Sequence, residues 1–234
     1  MADPQIEKLL IVQDRDLALQ KLEQELARIP VEKAALEKQI AEETANIEAA
    51  RQSLKQKEVE RHDLDNEVKS KETAVQKFRT QQMEVKKNEE YRALTQQIEQ
   101  TEAAIAELEE KEIALMLEID ELQADFQTEK GKIELRIQDR NGQIAQLAER
   151  AGNLEASLGE AQAALALSRE GVEDNFLENY DRVRKMTKRP PYVVQVEAHK
   201  CGGCHLRVSN DVAKEAMHYG EPHYCDQCAR IVYI

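Results

Sequence analysis

Apolar side chains recur through the first third of the chain in steps built from three and four: Leu22, Leu26, Ile29, Leu36, Ile40, Ile47, Leu54, Leu64, Val68, Val75, Phe78 and Val85. That spacing draws one stripe along an α-helix, as in the seam of a coiled coil. A second stripe follows through Tyr91, Leu94, Ile98, Ile105, Leu108, Leu115, Ile119, Leu122 and Phe126. The two are out of phase. An alternating three-four rhythm cannot produce the 6, 9 and 13 residues that separate Val85 from Tyr91, Leu94 and Ile98. A single helix would have to turn its buried face by about 100° at this point, whereas a reversal of the chain lays the second stripe on the first. The pattern predicts a mainly α protein, a long antiparallel coiled-coil helical hairpin with its tip at about 85–91. No Gly or Pro marks the reversal, and Asn88 is the residue there that tolerates left-handed backbone.

Arm lengths agree with a hairpin. Residues 4–85 and 89–170 are each 82 long, on the order of 120 Å of helix apiece. Asp3-Pro4 suits a helix start and Gly171 a helix stop. Pro30 removes a backbone hydrogen bond inside the first arm, which predicts a kink or short break there. The seam also admits Lys33, Glu43, Lys57, Arg61 and Lys71, polar positions of the kind that fix register and partner.

Beyond residue 171 the pattern changes. Six of the nine Phe and Tyr fall there, and residues 172–234 carry nine Lys/Arg and nine Asp/Glu, so all of the net charge of −13 belongs to residues 1–171. This predicts two domains, the hairpin over 1–171 and a small second domain over 172–234. Phe176, Leu177, Tyr180 and Val183 predict one short helix, ended by Pro190-Pro191, and Val193-Val194-Gln195-Val196 a strand.

All four cysteines sit in this second domain as Cys201-Gly-Gly-Cys204 and Cys225-Asp-Gln-Cys228, with 20 residues between the pairs. Each Cys-x-x-Cys makes a tight knuckle that aims two thiolates at one point, and two knuckles complete a tetrahedral sulfur site suited to one structural zinc ion. Gly202 and Gly203 let the first knuckle turn. The intervening residues fit a zinc ribbon: His205–Val208 as a strand, Ser209 as the N-cap of a helix to about Tyr219, Gly220 as its stop and Ala229–Ile234 as a closing strand. Disulfide or redox chemistry and an iron centre are the alternatives. His199, His205, His218 and His223 crowd the ribbon, but four cysteines leave a histidine ligand superfluous.

Seven basic residues, Arg182, Arg184, Lys185, Lys188, Arg189, Lys200 and Arg207, face one acidic residue, Glu197, across 182–207. They read either as a solvated or coil-docked basic face or as a contact for nucleic acid or an acidic partner. At the tip, Lys86, Lys87, Asn88 and Tyr91 read first as an exposed turn, with a partner contact at the end of the rigid arm as the alternative. No phosphate-binding Gly-rich loop, nucleophile elbow or His-Glu-x-x-His is present, which argues against an enzyme. No basic leader followed by an apolar run appears, and no stretch reaches transmembrane length. The expectation is a cytoplasmic protein with no membrane insertion. A homodimer remains open.

Three segments together resemble the bacterial C4-type zinc-ribbon coiled-coil family. Leu9-Leu10-Ile-Val-Gln13, Asp16, Leu22-Glu23, Leu26 and Ile29-Pro30 are similar to its "LLxLQxLD…LPxEL" opening. Val85-Lys-Lys-Asn88-Glu-Glu-Tyr91-Arg-Ala-Leu94-Thr-Gln-Gln-Ile98-Glu99 is similar to its "VxNxxEYxALxxEIE" tip, and Cys201–His205 with Cys225–Tyr233 to its paired knuckles. Two departures are Ala229, where Gly is usual, and Gln97, where Glu is usual. The resemblance implies a non-enzymatic adaptor with a coiled-coil hairpin and a zinc ribbon. Members of that family have been connected with flagellar or type III secretion components and with the nitrogen-type sigma factor, and RNA binding has been proposed for them.

Overall fold

The structure is a computed structural model that describes residues 3–234. Two long helices pack as a hairpin: α1, Pro4–Glu84, and α2, Asn88–Arg169. The reversal takes three residues, Val85 to Lys87. Asn88 is not in the left-handed region: it opens α2, and the Tyr91 N–H bonds back to the Lys87 carbonyl at 3.1 Å. Pro30 lies inside α1 with no break in the helix, its ring on the exposed side next to buried Ile29. One missing hydrogen bond is tolerated where the helices already bury a seam.

By internal contacts the chain forms two compact units, Ala35–Ile144 and a unit that joins the chain up to Ala34 with Ala145–Ile234. In the first, Val68, Val75, Ile98, Leu108, Leu115 and Ile119 form the buried seam. Glu43, Lys57 and Arg61 of the polar seam residues are paired across it, whereas Lys71 pairs with Glu67 of its own helix at 3.6 Å. Lys57 meets Glu118 at 2.7 Å, Arg61 meets Glu112 at 3.6 Å, and Glu43 takes both Arg136 and Arg140 at 3.0 Å. Burial opposes the charge on Glu43, but the two guanidiniums outweigh it and hold the carboxyl below its usual range. Each pair across the seam is satisfied only in this register, which is how polar seam residues specify an alignment.

In the other unit α1 and α2 are joined by α3, Asp174–Met186, and a four-stranded sheet: β1 Val193–Glu197, β2 Lys200–Cys201, β3 His223–Tyr224 and β4 Ile231–Tyr233, in the order β2-β1-β4-β3. β1 and β4 are parallel, with Val193 beside Ile231 and Val194 beside Val232. Because successive strand residues face opposite ways, this pair serves two cores. Val193 and Ile231 point to a core with Ile6, Leu9, Val12, Phe176, Tyr180 and Tyr192. Val194 and Val232 point to a smaller one with Val196, Cys201, Val208, Ala213, Ala216 and Cys225. Leu9 and Val12, in the apolar run near the N-terminus, are thus fully buried against α3 and the sheet.

Three expected elements of the ribbon differ in extent. The α4 helix, Asn210–Glu215, begins as expected, with Ser209 accepting from the Val212 N–H at 3.3 Å. It stops short of Tyr219 because Met217 and His218 bond three residues back, to Lys214 and Glu215, tightening the last turn. His205–Val208 is not a strand. Only Arg207 pairs, in a single bridge to Lys200, because His205 at φ 60° turns the chain out of extended geometry. The closing strand starts at Ile231 rather than Ala229, since Ala229 is left-handed at φ 57° and the Arg230 carbonyl is taken by the Cys225 N–H.

Candidate metal centre

The two knuckles are built alike. In the first, the His205 N–H returns to the Cys201 carbonyl at 2.8 Å and the Cys201 N–H bonds the Leu206 carbonyl at 3.0 Å. In the second, the Ala229 N–H returns to the Cys225 carbonyl at 2.9 Å and the Cys225 N–H bonds the Arg230 carbonyl at 2.9 Å. Such closure requires left-handed backbone at the residue after the second cysteine, occupied here by His205 and Ala229. A side chain in that region costs about 1–2 kcal/mol. Glycine at 229 would relieve that cost but lose more chain entropy on folding. Ala229→Gly is therefore expected to stabilise the ribbon by about 0.5–1 kcal/mol. A urea midpoint that rises for ribbon resonances but not for coil resonances would show it; an unchanged or lower midpoint would contradict it.

Gly202 and Gly203 are needed for a reason other than the turn itself, for neither has a positive φ. A Cβ on Gly202 would come within 2.8 Å of the Gln195 carbonyl oxygen, to which the Gly202 N–H bonds at 2.9 Å. A Cβ on Gly203 would collide with the Arg230 side chain. Arg230 crosses the knuckle there. Its Nε donates to the Pro191 carbonyl at 2.8 Å and its terminal nitrogen to the Arg189 carbonyl at 2.9 Å.

All four Sγ atoms lie within 4.8 Å of one another, with Cys201 and Cys228 at 3.8 Å and Cys204 and Cys225 at 3.9 Å. A tetrahedral ion bonded to four sulfurs at about 2.3 Å requires sulfurs about 3.8 Å apart. The donors fit a single metal ion. Cys201 and Cys225 are buried and the other two half-buried, and the Gly203 N–H reaches the Cys201 sulfur at 3.4 Å. Burial pushes the Cys225 thiol up to about 12. Burial also opposes ionisation of Cys228, but the Arg230 N–H, its guanidinium and the neighbouring thiols bring that group down to about 7. Thiolates this close repel one another, so one sulfur ionises first and its neighbours hold their protons; a cation that binds all four offsets that repulsion. Among the described residues no histidine joins this group. His199 and His205 are exposed, and His223 Nε2 lies 3.2 Å from the His218 carbonyl.

The basic residues do not act alike. Arg184 reaches Asp16 at 2.9 Å, and Arg182 lies over the Tyr224 ring at 5.1 Å. Lys185, Lys188, Arg189, Lys200 and Arg207 are exposed. At the tip, Lys86, Lys87 and Asn88 are exposed, Lys87 pairs with Glu90 at 3.2 Å, Tyr91 is 50% exposed, and Met83 beside them is 87% exposed.

The ribbon and α3 join α1 through Asp3, Gln13 and Asp16. The Gln13 side-chain Oε1 accepts from the Tyr192 and Val193 N–H groups at 2.6 and 2.7 Å, and its Nε2 donates to the Val193 carbonyl at 3.1 Å. Gln13 behaves as a piece of strand on the edge of β1. Asp3 caps α1 through the Gln5 N–H and takes the Gly220 N–H at 2.7 Å. Asp16, 1% exposed, accepts from Tyr180 Oη at 2.9 Å and from Gln20 at 3.1 Å. The signal was available: Gln13, Asp16 and Gln20 continue the helical stripe of Leu9, and polar residues on a buried stripe need partners.

No protein-family model and no curated protein matches the sequence. Among the solved structures that match it, three align along its length. The CT398 protein of Chlamydia trachomatis aligns with a TM-score of 0.83 at 18% identity, covering 98% of this chain and 97% of that one. A protein from Mycobacterium smegmatis aligns at 0.62 and 18% identity, over 100% and 99%. The HP0958 protein of Helicobacter pylori aligns at 0.54 and 14% identity, over 100% and 98%. Likeness at these identities is one of fold.

Proposed function

We propose that this chain is a non-enzymatic adaptor: a coiled-coil hairpin that carries a structural zinc ribbon and recruits protein partners. The observation that carries this reading is the closed donor set. Four sulfurs at tetrahedral spacing leave no position for a substrate or a water nucleophile, so the ion serves the fold. Zinc is the ion we assign, because four thiolates and a tetrahedral site suit a soft cation with no redox demand. Among the described residues no helix is long and apolar enough to cross a membrane, which agrees with a protein that meets its partners in an aqueous compartment, the cytoplasm in our reading. The resemblance of the opening, tip and knuckle segments to the C4-type zinc-ribbon coiled-coil family supports the same role and suggests secretion or flagellar components, or an alternative sigma factor, as the partner class.

A second reading rests on one observation, the exposure of Lys185, Lys188, Arg189, Lys200 and Arg207 around the ribbon: a regulator that binds RNA or DNA. Partner capture with the full-length, metal-loaded protein separates the two. An adaptor keeps its partner through nuclease treatment and in the Lys185→Glu/Lys188→Glu/Arg189→Glu variant. A nucleic-acid regulator loses its cargo in both, and its log affinity falls with log salt at a slope of roughly −0.7 to −0.9 per phosphate contacted. Arg184 is left unchanged in that variant because it is tied to buried Asp16.

A further inference from the structure

We propose that the outward face of α2 around Ile113, Met116 and Leu117 docks a basic amphipathic helix of a partner protein. These side chains are 59, 45 and 62% exposed. Residues three and four apart on a helix are neighbours, so the three make one surface rather than scattered apolar residues. The face they occupy is not the seam. Leu115 and Ile119 fill the seam on the same turns, and Glu112 and Glu118 flank it, paired with Arg61 and Lys57 of α1. At about 100° per residue, Ile113 and Leu117 stand roughly opposite Leu115. A solvated helix face carries charge or amide side chains, and three large apolar groups in one turn depart from that rule.

The surroundings say what covers them. One turn before the patch lie Glu109 and Glu110, one turn after it Asp120 and Glu121, all exposed. Between residues 106 and 124 the only basic side chain is Lys111. An apolar turn closed at both ends by acidic pairs, about 16 Å apart along the axis, complements a helix with apolar anchors at its centre and Lys or Arg clusters about 11 residues apart. A second copy of this face is a poor occupant. Acids stand at both ends, so parallel and antiparallel two-fold pairings alike set carboxylate on carboxylate. An anionic lipid surface meets the same repulsion.

This inference deepens the adaptor reading and rests on it for its purpose, but its test is separate. The probe is a fluorescent synthetic peptide of about 18 residues, long enough to reach both acidic pairs, with a Leu/Ile face and a Lys cluster near each end. Two controls accompany it, one with every Lys replaced by Glu and one of the same composition in scrambled order. Binding to the full-length, metal-loaded protein is expected for the first peptide alone, with hydrogen-exchange protection over residues 106 to 124. The Ile113→Ser/Leu117→Ser variant keeps every charge and is expected to bind about tenfold more weakly. Glu109→Lys/Asp120→Lys is expected to weaken binding in proportion to falling salt. Circular dichroism confirms that each variant stays helical. Equal binding of the scrambled or Glu peptide, protection elsewhere on the coil, or less than about a threefold change in the serine variant overturns the proposal. So does a dimer in sedimentation that the serine variant abolishes, which would make a second copy the occupant. Loss of partner capture with peptide binding intact would instead count against the adaptor reading.

Discussion

Stripping the metal is expected to unfold the ribbon while leaving the hairpin helical. The small core around the knuckles holds Val194, Val196, Val208, Ala213, Ala216 and Val232, and its other two buried members, Cys201 and Cys225, are themselves ligands. Its strands are two to five residues long and α4 has six residues, lengths that do not persist without tertiary support. Metal binding in such small sites contributes on the order of 10–16 kcal/mol at neutral pH, and that binding energy is folding energy. Chelator should therefore collapse the dispersed amide signals of residues 193–234, while the far-ultraviolet circular dichroism, dominated by α1 and α2, changes little. Cys201→Ser should do the same without chelator, because Cys201 is fully buried and a serine oxygen is a poor substitute for a thiolate. Metal analysis of the untreated protein is expected to give about one zinc per chain. A stripped protein that keeps its ribbon signals would show that the sulfurs are a packing cluster and the ion incidental.

The sequence carried the large features of this fold because each rests on a repeated pattern. One out-of-phase seam over 82-residue arms leaves few alternatives to a hairpin, and the reversal falls at residues 85–87, within the expected stretch. Paired Cys-x-x-Cys knuckles are as strong a signal for a site, and the four sulfurs do converge. Less legible were features set by contacts between segments distant in sequence. His205–Val208 has the alternation of a strand, yet closure of the knuckle puts His205 at φ 60° and ends the pairing at one bridge. Gly202 and Gly203 read as turn residues, whereas the structure needs them for the close approach of the Gln195 carbonyl and of Arg230, about 30 residues away. Pro30 reads as a breaker, but a long seam absorbs one lost hydrogen bond. Gln13 and Asp16 were legible as polar positions on the helical stripe of Leu9, which calls for partners without naming them. Their partners, Tyr192, Val193, Tyr180 and Arg184, lie more than 160 positions along the chain, beyond the reach of periodicity.

That long-range pairing sets the second large effect: Asp16→Ala is expected to destabilise the docking of α3 and the sheet on α1 by about 3 kcal/mol. Asp16 Oδ2 accepts from Tyr180 and Gln20, and Oδ1 faces the Arg184 guanidinium at 2.9 Å, as an ion pair off the axis of a directed hydrogen bond. Tyr180 is fully buried and stands edge-on to Tyr192, with ring centroids 5.8 Å apart. Burial first and then the Asp16 charge raise its hydroxyl pKa, so it is a donor at every working pH. Removing the carboxylate would strand that buried hydroxyl, at about 1–3 kcal/mol, and break a pair whose buried partner is fully dehydrated. The total belongs near the bottom of the roughly 3–5 kcal/mol seen for broken buried pairs, because Arg184 is 38% exposed and can turn to water. Tyr180→Phe removes the donor alone and is expected to cost about 1 kcal/mol. Urea titration read on the ribbon and α3 amides gives both values, and the double mutant gives their coupling. Coupling near zero would mean that the tyrosine and the aspartate stabilise the junction separately, by packing rather than through the hydrogen bond between them.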